Sequence, residues 1–323
     1  MKLIVETDLG RDSDDFFALC YLIDAGVDLR LITISPGDPD QVAVARFLVK
    51  ECGLDIPIGV SNTKRNKRSV GGMHTELLKK YKFPLEAISD GCGGDLMIEI
   101  FKPKEHPHSH IAENLEFFGC GPLDSLGKLC NVSEPLFLES SQLITGGPLS
   151  LPNSPLLPKR ATVQGGYVSY EMLAKAGIEP PIKLDKFIGK DFVTTFNLCG
   201  NIQAGLAFLK SSIPEKRFVS KNLCHTIVYD KEVHDFVTSH KPKSRAGELL
   251  REGMDLYLQK HSGKKFHDPS AAVCHLHPEI GQWVDGQLIY DRGKWGTILE
   301  NPNCKIIGTL DYSKLWEHIA VGN

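Results

Sequence analysis

The sequence predicts an α/β protein built on an open, mostly parallel, doubly wound sheet flanked by helices, as a single domain over residues 1–323 with long loops at one end. Three observations predict it. Short apolar, strand-like runs alternate with segments of helical period along most of the chain. The first thirty-five residues read as strand, helix, strand, and a helical crossover of that kind joins parallel neighbours. A chain of 323 residues that is 41% hydrophobic is ample for a large core, and no repeat or low-complexity segment interrupts it.

Taken in order, Leu3–Thr7 reads as a buried strand. Phe16–Ala25 follows as a helix with apolar residues at Phe16, Leu19, Leu22 and Ile23, and Gly26 supplies its stop. Leu29–Ile34 is the second strand. A helix over Gln41–Cys52 leads through Gly53 to a strand around Ile56–Val60. The rhythm resumes with a strand at Leu115–Gly119, a helix opening over Asp124–Leu129 and a strand at Gln142–Gly146. Ile202–Lys210 reads as a helix before a strand at Arg217–Ser220. The Pro- and Gly-rich stretches Pro148–Pro158 and Gly177–Pro181 read as long loops over one sheet, because neither side of them is complete alone.

Charge and composition exclude several classes. Forty acidic against thirty-seven basic side chains leave a formal charge of −3, which argues against nucleic-acid binding. The one basic tract, Lys64 to Arg68, reads as a solvated loop, with steering of an anionic ligand as the alternative. No apolar stretch approaches the roughly 18–20 residues of a membrane span, and Leu3-Ile4-Val5 lacks the flanks of a secretory signal. Nine scattered cysteines form no CxxC pair, so a reduced, cytoplasmic protein is expected.

Ligands of open parallel sheets sit beyond the carboxyl ends of the strands. The first loop of that kind, Glu6-Thr7-Asp8-Leu9-Gly10-Arg11-Asp12-Ser13-Asp14-Asp15, places five carboxylates in ten residues. They repel one another unless a cation or spread-out solvation offsets them. Oxygen donors at this density suit Ca²⁺ or Mg²⁺ rather than zinc. Helix capping by Asp12 and Ser13, with Asp14 and Asp15 complementing the helix dipole, accounts for only part of the cluster. An EF-hand is excluded, because its loop needs Gly at the sixth position and Glu at the twelfth. A second carboxylate lies far down the chain in Phe266-His267-Asp268-Pro269. There a His and an Asp open a helix and offer a proton donor beside a metal ligand; a capping Asp before a first-turn Pro is the plainer reading.

These segments together resemble the nucleoside hydrolase family of the inosine-uridine-preferring type. Residues 6–15 are similar to its D-T-D-x-G-x-D-x-D-D signature, with Glu6 for the first Asp, and residues 32–38 resemble its I-T-x-x-x-G-N block, with Asp38 for Asn. Residues 118–124 resemble its T-G-G-L-T-N block. Gln164-Gly165-Gly166-Tyr167, Thr195-Phe196-Asn197 and Leu223-Cys224-His225 resemble later blocks, and His267-Asp268-Pro269 stands unchanged. The blocks keep the family's order from residue 3 to residue 269.

The resemblance implies hydrolysis of the N-glycosidic bond of a ribonucleoside. It implies one Ca²⁺ held by Asp8, Asp15 and Asp268 with the backbone carbonyl of Cys120, Asp8 as general base and His267 at the leaving base. For substrate contacts it implies Asp14, Asp38, Thr195 and Asn197, with His74 and His225 as further candidates. A homodimer or homotetramer acting on a small-molecule nucleoside, away from membranes and nucleic acids, is likewise implied. Asp38 for Asn and Thr195 for Glu point to a modified base or a 5′-substituted ribose, since an acceptor-only Asp cannot donate as an amide does. Two alternatives remain open: a non-catalytic nucleoside- or ribose-binding protein, and a Mg²⁺-dependent phosphohydrolase.

Overall fold

The computed structural model describes residues 1–10, 12–102, 114–133 and 155–322. The expected strand Gln142–Gly146 lies outside them, as does most of the Pro148–Pro158 loop. The strands are β1 (Lys2–Thr7), β2 (Asp28–Ile34), β3 (Ile58–Val60), β4 (Gly91–Cys92), β5 (Leu115–Cys120), β6 (Arg160–Gln164), β7 (Phe192–Val193), β8 (Glu215–Val219), β9 (Val228–Asp230), β10 (Gly263–Lys265), β11 (Gly281–Asp291), β12 (Lys294–Ile298) and β13 (Cys304–Leu310). Among the described residues eleven of them form one sheet in the order β4-β3-β2-β1-β5-β6-β8-β13-β11-β12-β7, and β9 and β10 form a separate antiparallel pair.

Pairing is parallel from β4 through to β13 and antiparallel across β13-β11-β12-β7. The expected fold class is therefore present, with an antiparallel extension at one edge. Period-two alternation along β1 feeds two cores. Leu3 and Val5 join the cluster that packs Phe16, Phe17 and Met254 on one face, and Ile4 joins Phe117, Leu126 and Phe218 on the other. A strand covered on both faces must be apolar throughout, which is why Leu3-Ile4-Val5 reads as a continuous run.

Helix Asp14–Asp24 starts with its two carboxylates in the first turn and ends before Gly26, whose φ of 74° is the left-handed turn that halts it. The helices Pro39–Glu51, Asp124–Ser133 and Ile202–Lys210 fall within two residues of expectation at their starts. Strand order reverses between β1 and β5: the chain leaves the carboxyl end of β1 toward β2 on one side and that of β5 toward β6 on the other. That reversal opens a crevice at the end of β1.

Candidate active site

The parallel register brings Thr7 opposite Ile34 on one side and Cys120 on the other, so the loops after β1, β2 and β5 emerge side by side. Gly121 makes this possible. A Cβ there would fall 2.7 Å from the Thr7 carbonyl carbon and 2.8 Å from the Asp8 nitrogen, so only glycine lets the two strand ends approach. Beyond them lies a cavity of about 650 Å³. Its walls include Asp8, Asp12, Asp14 and Asp15 from the acidic loop, Ser35 and Pro36 after β2, Cys120, Gln164, Phe196, Asn197, His267 and Asp268. Residues far apart in sequence, from positions 8 to 268, thus meet at one point.

Helix Asp14–Asp24 carries its first-turn carboxylates into the crevice. Asp15 Oδ1 accepts from Thr7 Oγ1 and, at 3.1 Å, from the Asp8 backbone N–H. Burial, with the charge of Asp14, nevertheless pushes its carboxyl up to about 7. Burial and the neighbouring carboxylates likewise raise Asp8 and Asp268 well above the usual carboxylate range. Asp14 goes the other way. Burial opposes its ionisation, but His267 Nδ1 at 3.3 Å and the Lys264 ammonium at 3.3 Å outweigh it and hold the carboxyl low.

Opposite the acids, Asn197 Nδ2 donates to the Gln164 carbonyl at 3.0 Å and to Gln164 Oε1 at 2.7 Å. Both amide hydrogens are committed, which leaves Oδ1 as the acceptor. Phe196 beside it is 78% exposed, an apolar ring at the cavity rim. His267 Nε2 is buried with no hydrogen-bond partner among the described residues.

Three of the expected contacts are placed elsewhere. Asp38 is fully buried but does not line the cavity; its carboxylate accepts from Arg65 Nε at 3.0 and 3.1 Å and from the Lys67 N–H at 2.9 Å, besides Ser69 Oγ. It caps helix Pro39–Glu51 together with Gln41 and anchors the following basic segment. Thr195 is buried behind Phe196, and its hydroxyl has no partner. His74 is buried edge-on against Phe16 with ring centroids 5.7 Å apart, and burial pushes it down to about 4, the neutral state of a core imidazole. His225 stands next to the cavity, its ring 4.9 Å from that of His267.

The two unassigned acids have structural partners. Glu6 accepts the N–H groups of Ser125 at 2.8 Å and Leu126 at 3.1 Å, so its longer side chain caps the neighbouring helix Asp124–Ser133. Asp12 pairs with Lys264 Nζ at 2.7 Å. Neither Asp12 nor Ser13 caps helix Asp14–Asp24 through its side chain: Ser13, at the cap position, has an unpartnered hydroxyl.

Sequence reasoning missed Lys264, a 4% exposed lysine in direct contact with the acids, because lysines are almost always solvated and no pattern marks a buried one. It also missed Gln41, whose Nε2 donates to the Asp8 carbonyl at 3.1 Å while Oε1 accepts from Gly37 and Asp38.

A divalent cation fits this constellation. Oxygen and sulfur atoms of the buried Asp15, Cys120 and Asp268 lie within 4.8 Å of one another, with Asp8 electrostatically tied to the same group. Burial pushes the Cys120 thiol well above its ordinary value, so oxygen remains the donor type. Four buried or nearly buried carboxylates face one buried ammonium, which is the imbalance a cation corrects.

No family model matches the sequence, and no curated protein does. Solved structures do match in three dimensions. A plant nucleoside hydrolase superposes with a TM-score of 0.68 at 15% identity, covering 99% of this chain and 97% of that one. The inosine-uridine-preferring nucleoside hydrolase of Bacillus anthracis gives 0.62 at 14% identity, over 98% and 97%. The purine-preferring ribonucleoside hydrolase of Gardnerella vaginalis gives 0.63 at 14%, over 100% and 98%. Across its whole length, this chain has the nucleoside hydrolase fold.

Proposed function

We propose that this protein hydrolyses the N-glycosidic bond of ribonucleosides to free base and ribose, with Ca²⁺ as cofactor. The observation that carries the reading is the convergence of Asp8, Asp14, Asp15 and Asp268 with His267 on one cavity, in a fold shared with nucleoside hydrolases. Asp8, Asp15 and Asp268 would hold the ion, with the Cys120 carbonyl completing the protein's share. A divalent cation bound there would lower the pKa of a water molecule and so supply the nucleophile.

The remaining steps belong to side chains. Asp8, which lines the cavity, takes the proton of the attacking water. The glycosidic bond breaks ahead of attack, and the carboxylates stabilise the oxocarbenium character of the ribose. Asp14, kept ionised by His267 and Lys264, accepts a ribose hydroxyl, and Asn197 Oδ1 accepts another. His267 keeps Nδ1 toward Asp14, which leaves Nε2 to protonate the departing base. Because Asp38 is bound up with Arg65 and Lys67, it does not choose the base. A homodimer or homotetramer is proposed on the family resemblance, and a cytoplasmic location on the scattered cysteines that form no CxxC pair.

Asp8→Asn tests the reading. With calcium present and a panel of purine, pyrimidine, deazapurine and 5′-modified nucleosides, the variant is expected to lose about 10²- to 10⁴-fold in kcat. Unchanged turnover would remove Asp8 from the mechanism.

A further inference from the structure

Three lysines from separate segments meet beside the cavity. Lys186 belongs to the short turn Asp185–Phe187, Lys221 opens the helix Lys221–Cys224, and Lys265 ends β10. Lys186 Nζ lies 2.9 Å from His225 Nδ1, and Lys265 Nζ lies 3.2 Å from the same nitrogen. Two ammonium groups therefore share one imidazole lone pair. Lys221 Nζ donates to the Thr194 carbonyl at 2.8 Å. Burial, then the charges of Lys265 and Lys221, push the Lys186 pKa down, as expected of crowded cations. Among the described residues none of the three pairs with a carboxylate, whereas Lys264, next in sequence to Lys265, pairs with two.

The cluster adjoins the site. The His225 ring is 4.9 Å from that of His267, which lines the cavity, and Thr194 stands two residues before Phe196 at the rim. Solvated lysines ordinarily diverge from one another. Convergence without an acid leaves an uncompensated positive spot at the edge of a cavity whose floor is acidic, and such a spot favours an anion.

We propose that Lys186, Lys221 and Lys265, with His225, bind the phosphate of a ribonucleoside 5′-monophosphate, making nucleotides the preferred substrates. This rests on the hydrolase reading above, in which the carboxylate floor holds the 2′- and 3′-hydroxyls and leaves O5′ as the ribose oxygen free to carry a phosphate. A phosphate monoester brings a charge of about −1.5 to −2 and three acceptor oxygens. That supplies a separate acceptor for each ammonium, where His225 supplies one between two. A carboxylate carried by the base has the same sign but less charge and fewer oxygens. In the reaction the C1′–N bond breaks and a C1′–O bond to water forms. Asp8 takes the water proton, His267 gives one to the base, and the phosphate ester leaves intact as ribose 5-phosphate.

The test separates binding from turnover. Calorimetry with calcium present compares ribose and ribose 5-phosphate, neither of which has a base to lose, on the wild type and on the double variant Lys186→Ala, Lys265→Ala. Ribose 5-phosphate is expected to bind about tenfold or more tightly than ribose. The double variant should erase that advantage, and added salt should weaken it. Equal binding of the two sugars, or an advantage untouched by the lysine changes, overturns the proposal. In parallel, kcat/KM for inosine, inosine 5′-monophosphate and orotidine should rank the monophosphate first. Orotidine first would place the anion on the base and overturn the 5′ assignment. Lysine-dependent phosphate binding with no base released from any of them would uphold the anion site and reject the hydrolase reading.

Discussion

At Lys264 a buried ammonium lies 2.7 Å from Asp12 and 3.3 Å from Asp14, and burial alone would strip its charge. The two carboxylates more than compensate and raise its pKa. Removing it in Lys264→Met leaves Asp14 buried opposite three more acids. We expect a loss of roughly 3 kcal/mol in urea unfolding, the usual cost of orphaning a buried charge. Added Ca²⁺ should restore part of it; a variant as stable as wild type without cation would contradict this placement of charge. At this scale the sequence was legible where residue types are rare together: Asp8, Asp14, Asp15, His267 and Asp268 all line the cavity. It was not legible at Asp38, where a block match identified a position but not where its side chain points.

Two elements are held to the site by carboxylates that never reach the cavity. Asp38 and Asp40 together bind Arg65, Lys67, Ser69 and Val70, which brings Arg68 and Ser69 to the cavity wall. Burial opposes Asp38 ionisation, but Ser69, Lys67 and Arg65 prevail and hold its carboxyl below the usual value. A depressed acid contributes stability that is complete above its unfolded pKa of about 3.9 and is lost as pH falls through the folded value. Wild-type stability should therefore drop more steeply below about pH 4 than that of Asp38→Asn. At neutral pH the variant should be cut faster by protease within residues 62–70, and equal cleavage would contradict the anchor.

Glu6, a carboxyl that burial pushes up to about 8, accepts two backbone N–H groups of helix Asp124–Ser133, so Glu6→Ala should cost about 2 kcal/mol in chemical unfolding, at the upper range of a helix cap. No measurable change would deny it that role. Most strands and helices of the parallel half were legible because two-sided burial and helical period are local signals. Strands β11 to β13 were not, although β11 alternates and closes on β12 through Arg292 and Gly293, both at positive φ; their apolar runs are short and broken by polar residues.

For the whole molecule, the parallel arrangement places the crevice where strand order reverses between β1 and β5, and residues at or after the carboxyl ends of β1, β2, β3, β5 and β6 converge there. The antiparallel strands β11, β12 and β7 extend the sheet beyond β13. Among the described residues no helix is long and apolar enough to cross a membrane. A cation that binds only the folded cluster stabilises the entire fold, by about 2.7 kcal/mol at a hundred times its Kd. Thermal unfolding should accordingly shift upward with Ca²⁺ and downward with a chelator. The central claim is that the carboxylate cavity hydrolyses a base–ribose bond with the help of a cation. Parallel quantification of free base and reducing sugar from a ribonucleoside or its 5′-monophosphate tests it most directly. Equal amounts of both, abolished by chelation and restored by Ca²⁺, are predicted; a bound nucleoside that releases no base, or release of inorganic phosphate without base, would contradict it.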